Sequence, residues 1–198
     1  MGEAATPARR PGRPAQISRE RIVRAVSTFD NIDAMTMRQL AERLDVRHGA
    51  LYRWVKNRDE LFDLISEVVV DRITEAVDEE PGDWRSQLRR LALLMREHFL
   101  ALPGYASHLS RPHAHNPHSV DRLRRACAEI FARSGASRQE ADHSCLVFIT
   151  TMIGWLAAEE QPVPVGHVEP RFDLFLGVLL RGLPVRESDA SAALGPGA

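Results

Sequence analysis

Two groups of side chains in this 198-residue sequence are of types that do chemistry. The first is a set of imidazoles: His108, His113, His115 and His118 fall within eleven residues, beside Arg111 and Asn116. His-x-His-x-x-His is a spacing that zinc accepts. No thiol accompanies it, and the nearest carboxylate is Asp121, so a polar loop is the expected reading, with no metal and no other cofactor. Cys127 and Cys145 lie elsewhere in the chain, in no basic context, and read as buried packing rather than redox sensors. No nucleophile–base pairing is legible, so an enzyme is not expected. A metal-dependent hydrolase built on the imidazoles is the rejected alternative.

The second group is cationic. The formal charge is −1, from 26 basic and 27 acidic side chains, but that sum hides a division. Residues 1–58 hold 12 basic against 6 acidic side chains, a balance of +6, and residues 59–198 hold 14 against 21, a balance of −7. A phosphate backbone responds to the local field, so the first segment is the polyanion-facing part. Within it, residues 36–56 read as two short helices separated by Asp45-Val46-Arg47. That is helix-turn-helix spacing, in which the second helix presents its N-terminal side chains to the major groove. Asp45 falls where such a turn needs a residue that tolerates positive φ.

The elements that must position these groups are helical almost throughout, and no credible strand is found, so the fold class is all-α. Ile22, Val23, Val26 and Phe29 follow a candidate N-cap at Ser18. Thr36 to Gln39 reads as a capping box that opens a helix burying Leu40 and Leu44. Residues 48–55 are predicted as a third helix, with Ala50, Leu51 and Val55 inward. Asn57 to Glu60 is a second capping box, opening a long helix to about residue 78 with the stripe Leu61, Ile65, Val68, Arg72 and Ala76. At 1.5 Å per residue it is ~30 Å long, enough to bridge two domains. Asp83 caps a helix whose stripe runs Trp84, Leu88, Leu91, Met95, His98 and Leu102. Residues 103–116 read as a loop with a short helical turn, and Asn116-Pro117 opens a helix carrying Val120, Leu123, Cys127 and Ile130. Ser137 to Glu140 is a third capping box, and a last helix is marked by Phe172, Leu176, Leu179 and Leu183.

With 44% hydrophobic residues the chain can bury a sizeable core. No run of ~18 consecutive apolar residues is present, so no membrane partner is expected, and the N-terminus lacks the apolar segment of a secretory signal. Two cysteines fit a reducing interior. The expectation is a cytoplasmic protein. The segment Leu146 to Ala158 is apolar on several faces and must be covered on all of them. It reads as a central core helix or, preferably, as a helix that packs with the last helix against a second copy.

The stretch TMRQLAERLDVRHGALYRWVKNRDELFDLI resembles the helix-turn-helix of TetR-like transcriptional repressors. Its Thr-x-Arg-x-Leu-Ala start, the Leu-Tyr of its second helix and its Lys-Asn-Arg-Asp-Glu-Leu opening of the next helix carry the match over about residues 16–72. Beyond residue 80 the segments GDW, SHLSRP and Ala-Glu-Glu are more loosely similar to the ligand domain of the tetracycline repressor. The resemblance implies a DNA-binding domain (16–60) and a helical effector and dimerisation domain (61–186); the Arg-rich residues 1–15 read as a flexible arm, and the small, polar residues 187–198 as a disordered tail. It implies a homodimer on a palindromic double-stranded operator, released by a small-molecule effector. An activator role, and an architectural binder without effector, stay open.

Residue by residue, the resemblance puts His48, Gly49 and Ala50 at base edges, with His48 the main hydrogen-bonding reader. Arg38 reaches a guanine, and Thr36, Tyr52, Lys56 and Arg58 hold phosphates. Trp54 stacks on sugar or packs beneath the helix, and Arg47 trades a cap for a phosphate contact. Arg13, in Arg9-Arg10-Pro11-Gly12-Arg13-Pro14, is the candidate for a minor-groove contact. On the effector side the family's drug- and magnesium-contacting side chains fall near Thr74, Leu91, His108 and Ser110. Only His108 matches, and Ser110 is a conservative replacement, so the tetracycline site is not reproduced. A mostly apolar pocket for another molecule is expected, with Met95, His98 and Arg111 as further candidate contacts.

Overall fold

Helix starts are marked in the chain by side chains that satisfy the orphan backbone donors of a first turn. In the computed structural model, which describes residues 17–78, 82–112, 116–161 and 170–186, those marks are occupied as the residue types demand. Ser18 accepts from the Arg21 amide and opens α1 (Arg19–Val26). The Thr36–Gln39 box opens α2 (Met37–Arg43), and α3 (His48–Leu51) follows without a side-chain cap from Arg47. Asn57 accepts from the Glu60 amide at 2.8 Å at the head of α4 (Arg58–Asp78). The Glu60 carboxylate reaches back one residue further than the box predicts, accepting from the Lys56 amide at 2.8 Å. Asp83 caps α5 (Trp84–Leu100), Asn116 with Pro117 opens α7 (Pro117–Ala132), and the Ser137–Glu140 box opens α8 (Arg138–Glu160). The short α6 (Tyr105–Leu109) lies within the predicted loop, and α9 (Phe172–Arg181) closes the described chain. Among the described residues there is no strand.

The first three helices and the start of α4 enclose Ile22, Val26, Leu40, Leu44, Leu51 and Val55, each at most 1% exposed. From there α4 runs as the shared member, packing on α1 at one end and on α5 and α7 along its length, while α8 lies across α5, α6 and α7. A single apolar core therefore continues from the helix-turn-helix unit into the body.

Several periodicity readings shift once packing is known. The third helix ends at Leu51 rather than 55, because Val55 is drawn into the core and Asn57 caps the next helix two residues later. On α4, Arg72 points to solvent, and the buried positions run through Val69, Ile73 and Val77. On α5 the inward position belongs to Phe99, 2% exposed, and His98 stands half-buried beside it. Val120 on α7 is 47% exposed rather than core. On α8, Cys145, Phe148, Met152 and Leu156 are buried, but Leu146 and Val147 are exposed, as are Leu174 and Val178 on α9. By length and composition α8 also passes as a membrane span, with a mean hydropathy of 1.3, although its run is broken by polar residues. Both its ends are tied to the protein by Glu140, Glu159 and Glu160.

Candidate nucleic-acid interface and effector cavity

The turn between α2 and α3 is closed by the Asp45 amide on the Glu42 carbonyl and the Val46 amide on the Ala41 carbonyl, both at 3.0 Å. Asp45 has φ 52°, the only positive-φ residue other than glycine among the described residues. That left-handed residue swings α3 out across α2, so the first residues of α3 stand on the outer surface. His48, Gly49, Tyr52 and Trp54 are exposed there, and Ala50 is half-buried. His48 and Tyr52 touch edge to face, with ring centroids 4.6 Å apart. A Cβ added at Gly49 would meet nothing within 4 Å, so no internal contact requires a glycine here. Trp54, 45% exposed, does not pack beneath the helix.

Cations rim this surface. Arg38 is paired on its own helix with Glu42 at 3.0 Å but keeps 83% of its side chain in solvent, and Lys56, 81% exposed, is 3.7 Å from Glu60. Arg47 and Arg53 are exposed and have no side-chain partner among the described residues. Arg53 was not singled out from the sequence; its signal was a second cation next to Tyr52 on the outer turn. Thr36 is exposed, with its hydroxyl engaged in the α2 capping box. Arg58 corrects the phosphate assignment. Its guanidinium turns inward, donating to the Met35 and Ile32 carbonyls, both at 2.7 Å, and to Asp33 at 3.3 Å, and it lies over the Phe62 ring. Arg13, His113 and His115 lie outside the described residues.

The junction of this unit with the body is polar and specific. The Ile32 amide donates to the Pro103 carbonyl at 2.8 Å, and Asp33 is shared by Arg58, Arg111 and His108. His108 stacks on Phe62 with centroids 3.6 Å apart. Gly104 has φ 93°, and a Cβ there would come within 2.7 Å of the Asn31 side chain, so glycine is required. The first turn of α6 is capped from α8: the Glu160 carboxylate accepts from the amides of Gly104, Ala106 and Ser107 at 2.8–3.3 Å. Thus one face of α6 holds the head through His108, with Arg111 just beyond its end.

The other face of α6 looks into a cavity of about 290 Å³ lined by α4, α5, α6, α7 and α8 and open to solvent beside the exposed Val120 and Leu146. Its wall is largely hydrocarbon, including Val70, Phe99, Leu109, Leu123, Ile149 and Ile153. The polar groups are few. Ser66 and the Tyr105 hydroxyl are hydrogen-bonded to one another at 2.8 Å, and burial pushes the Tyr105 hydroxyl far above the ordinary phenol range. Ser119 contributes a buried hydroxyl without a hydrogen-bond partner. Arg124 and Asp142, each about half exposed, form a 3.1 Å pair. The Cys145 thiol also lines this wall and donates to the Arg124 carbonyl at 3.5 Å, and burial pushes the neighbouring Cys127 thiol up; both cysteines are free.

None of the seven candidate ligand contacts lines that cavity. Thr74 is fastened by hydrogen bonds to the Val70 carbonyl and from Arg122, both at 3.0 Å. Leu91 and Met95 are packed in the core. His98 is half-buried, and burial lowers its pKa. His108 is taken up by Phe62 and Asp33, and Ser110 and Arg111 border a separate hollow against Gly154 and Ala158. The cavity wall takes other faces of these helices, those carrying Ser66 and Val70 on α4, Phe99 on α5, Ser119 and Leu123 on α7, and Ile149 and Ile153 on α8. The recoverable signal was the face shared by Asn116, Ser119, Val120 and Leu123. Among the described residues no group of three or more His, Cys, Asp or Glu could hold a metal ion.

No family model matches the chain. Over 181 residues, 88% of this chain and 80% of the relative, it is 27% identical to the tetracycline repressor protein class C of Escherichia coli. Over 104 residues, half of each chain, it is 36% identical to the class G tetracycline repressor protein of Vibrio anguillarum. In structure it is similar to the Streptomyces coelicolor TetR family protein ActR in complex with (S)-DNPA, with a TM-score of 0.63 and 23% identity over 84% of this chain and 96% of that one.

Proposed function

We propose that this chain is a TetR-like transcriptional repressor, working in the cytoplasm, that binds a palindromic operator as a homodimer and leaves it when a small molecule fills the cavity. The observation that carries this reading is α3: a four-residue helix held outward by Asp45, with His48 and Gly49 exposed in a segment of charge +6. Arg38, His48, Gly49 and Ala50 read bases. Tyr52, Lys56, Arg47 and Arg53 hold phosphates and fix register. Trp54 lies against sugar, Thr36 contacts a phosphate while capping α2, and Arg13 enters the minor groove. Arg58 instead holds the head to α4.

The second copy covers the apolar stripes of α8 and α9, where Leu174 and Val178 are 57% and 63% exposed. Two heads in fixed relation then meet two half-sites, and half-site spacing follows from the dimer. Release needs an effector that binds one arrangement better than the other. The reading is supported by α6, which borders the cavity through Tyr105 and Leu109 and grips Asp33 and Phe62 through His108. The relatives' name carries tetracycline, but that chemistry is not assigned to this chain. Thr74 and Leu91 stand where the drug's His and Asn partners are expected.

Selecting bound duplexes from a random pool with the purified protein tests the reading. A palindromic motif favoured ~10³-fold or more over unrelated sequence is the expected result. Binding that falls steeply with salt and shows no sequence preference would instead mark an architectural binder.

A further inference from the structure

A second hollow, of about 380 Å³, lies between the first two turns of α5 and the end of α9, lined by Arg85, Ser86, Arg89, Gly177, Leu180 and Arg181. Residues 59–198 carry a balance of −7, and carboxylates take up many of their arginines. Arg96 is held by Glu159 at 2.9 Å, and Arg186 by Glu140 and Arg124 by Asp142, both at 3.1 Å. Arg85, Arg89 and Arg181 have no carboxylate partner among the described residues, yet they converge on one hollow. Three like charges around one space repel each other until an anion joins them. We infer that this hollow binds a compact polyanion of the diphosphate class, held by the guanidiniums of Arg85, Arg89 and Arg181.

Two of the guanidiniums are held in place by their own helices. Arg85 lies over the Trp84 ring, 4.2 Å from its centroid. The Nη1 of Arg181 stands 3.6 Å from where a Cβ on Gly177 would be, so this guanidinium lies along α9 at the edge of the hollow. Asp83, the carboxylate at this end of α5, is spent on the first turn. Its Oδ1 accepts from the Arg85 and Ser86 amides at 2.9 and 3.2 Å, and its Oδ2 from the Ser86 hydroxyl at 2.6 Å. A guanidinium presents paired donors that match phosphoryl oxygens two at a time. Two linked phosphoryl groups carry about three negative charges near neutral pH, against three cations here. The remaining volume, over Leu180, admits a group to which such a diphosphate is esterified. Operator phosphates are not the occupant. Arg90, next to Arg89, donates to the Ala76 carbonyl at 3.0 Å, which places the hollow by the last turn of α4, ~30 Å along that helix from the head. The hollow shares no residue with the apolar cavity, and its anion does not depend on the chain being a repressor.

Calorimetric titration of the full chain with pyrophosphate, orthophosphate and ADP, without divalent metal and at physiological ionic strength, provides the test. Pyrophosphate should bind at least about tenfold tighter than orthophosphate, because only the longer anion reaches all three guanidiniums. Arg89→Gln and Arg181→Gln should each weaken pyrophosphate about tenfold. Arg138→Gln, which removes an exposed arginine outside the hollow, should leave it unchanged. Without ligand, the two hollow variants should keep or raise the thermal midpoint, since each relieves repulsion among the cations. With saturating pyrophosphate the unsubstituted chain should gain more stability than either variant. ADP bound as tightly as pyrophosphate marks an esterified diphosphate, and ADP bound at least about tenfold more weakly marks the free one; both keep the anion class. No binding of any probe, equal binding of pyrophosphate and orthophosphate, or an equal loss in Arg138→Gln overturns the inference. So does a weaker homodimer in Arg89→Gln and Arg181→Gln, read by sedimentation, with pyrophosphate binding unchanged, since that result gives the cations to a second copy.

Discussion

In the head, Arg38, His48, Tyr52 and Lys56 carry their polar atoms in solvent on short elements. In the cavity the hydroxyls of Ser119 and Tyr105 are buried among hydrocarbon from five different helices. On the proposed reading both regions handle a ligand, and they place their polar groups in opposite ways because those ligands differ. A phosphate backbone stays hydrated and charged, so its partners must be exposed cations whose strength comes from number and field. A molecule held in a largely apolar cavity gives up most of its hydration, so a polar group buried in the wall must be matched or becomes a penalty. Between them lies Arg58, a cation of the first region that behaves like a member of the second: its guanidinium is directed at carbonyls of its own chain.

The sharpest test of that contrast is Arg58→Ala. It leaves the Met35 and Ile32 carbonyls without their donor and Asp33 with one cation fewer, so denaturant unfolding should show a loss of about 2–3 kcal/mol. Lys56→Ala, at an exposed site, should leave the midpoint in place. It should instead lower affinity for all duplexes alike and reduce the salt slope by about 1. Equal stability of the two variants would break the distinction between them.

Arg38→Ala and His48→Ala should each relax preference at one operator position by about 1–3 kcal/mol, read by competition between the selected palindrome and single-base variants. Unchanged discrimination in both variants would show that the docking assignment is wrong. Gly49→Ala separates folding from reading more finely. The added methyl meets no protein atom, so stability should hold or rise by up to about 0.5 kcal/mol through helix propensity. Operator affinity should nonetheless fall, since the methyl is directed at the bases.

The smallest effect belongs to His98, whose folded-state pKa lies below the ordinary 6.5 because burial disfavours the charged ring. The unfolded chain then binds the proton first. Stability is complete above about pH 6.5 and declines as pH falls through that value toward the lower folded-state one. His98→Gln should flatten this part of the stability–pH profile, measured by thermal unfolding, and leave the operator preference untouched.

The legible part of this protein was its local chemistry. Ser18, Thr36, Asp83, Asn116 and Ser137 each announce a helix through a bond made within three residues, and Asp45 announces a turn through its own φ. The exposure of His48 and Tyr52 in the head follows from those same short-range marks. The all-α class, the helix-turn-helix and the division of charge at residue 58 were therefore present in the order of residues alone. Which face of each long helix turns inward was not. Phe99 and His98 are neighbours in sequence, and only α4 and α6 on the far side decide that the ring of Phe99 is enclosed. Arg58 read as a phosphate ligand because its type and place in the motif allow it; the carbonyls that capture it come from residues 32 and 35, more than twenty positions away. The cavity is the extreme case. Its wall joins Ser66, Tyr105, Ser119 and Ile149 from four helices, and a side chain's neighbours across such distances are fixed by how the helices pack, not by the spacing within any one of them.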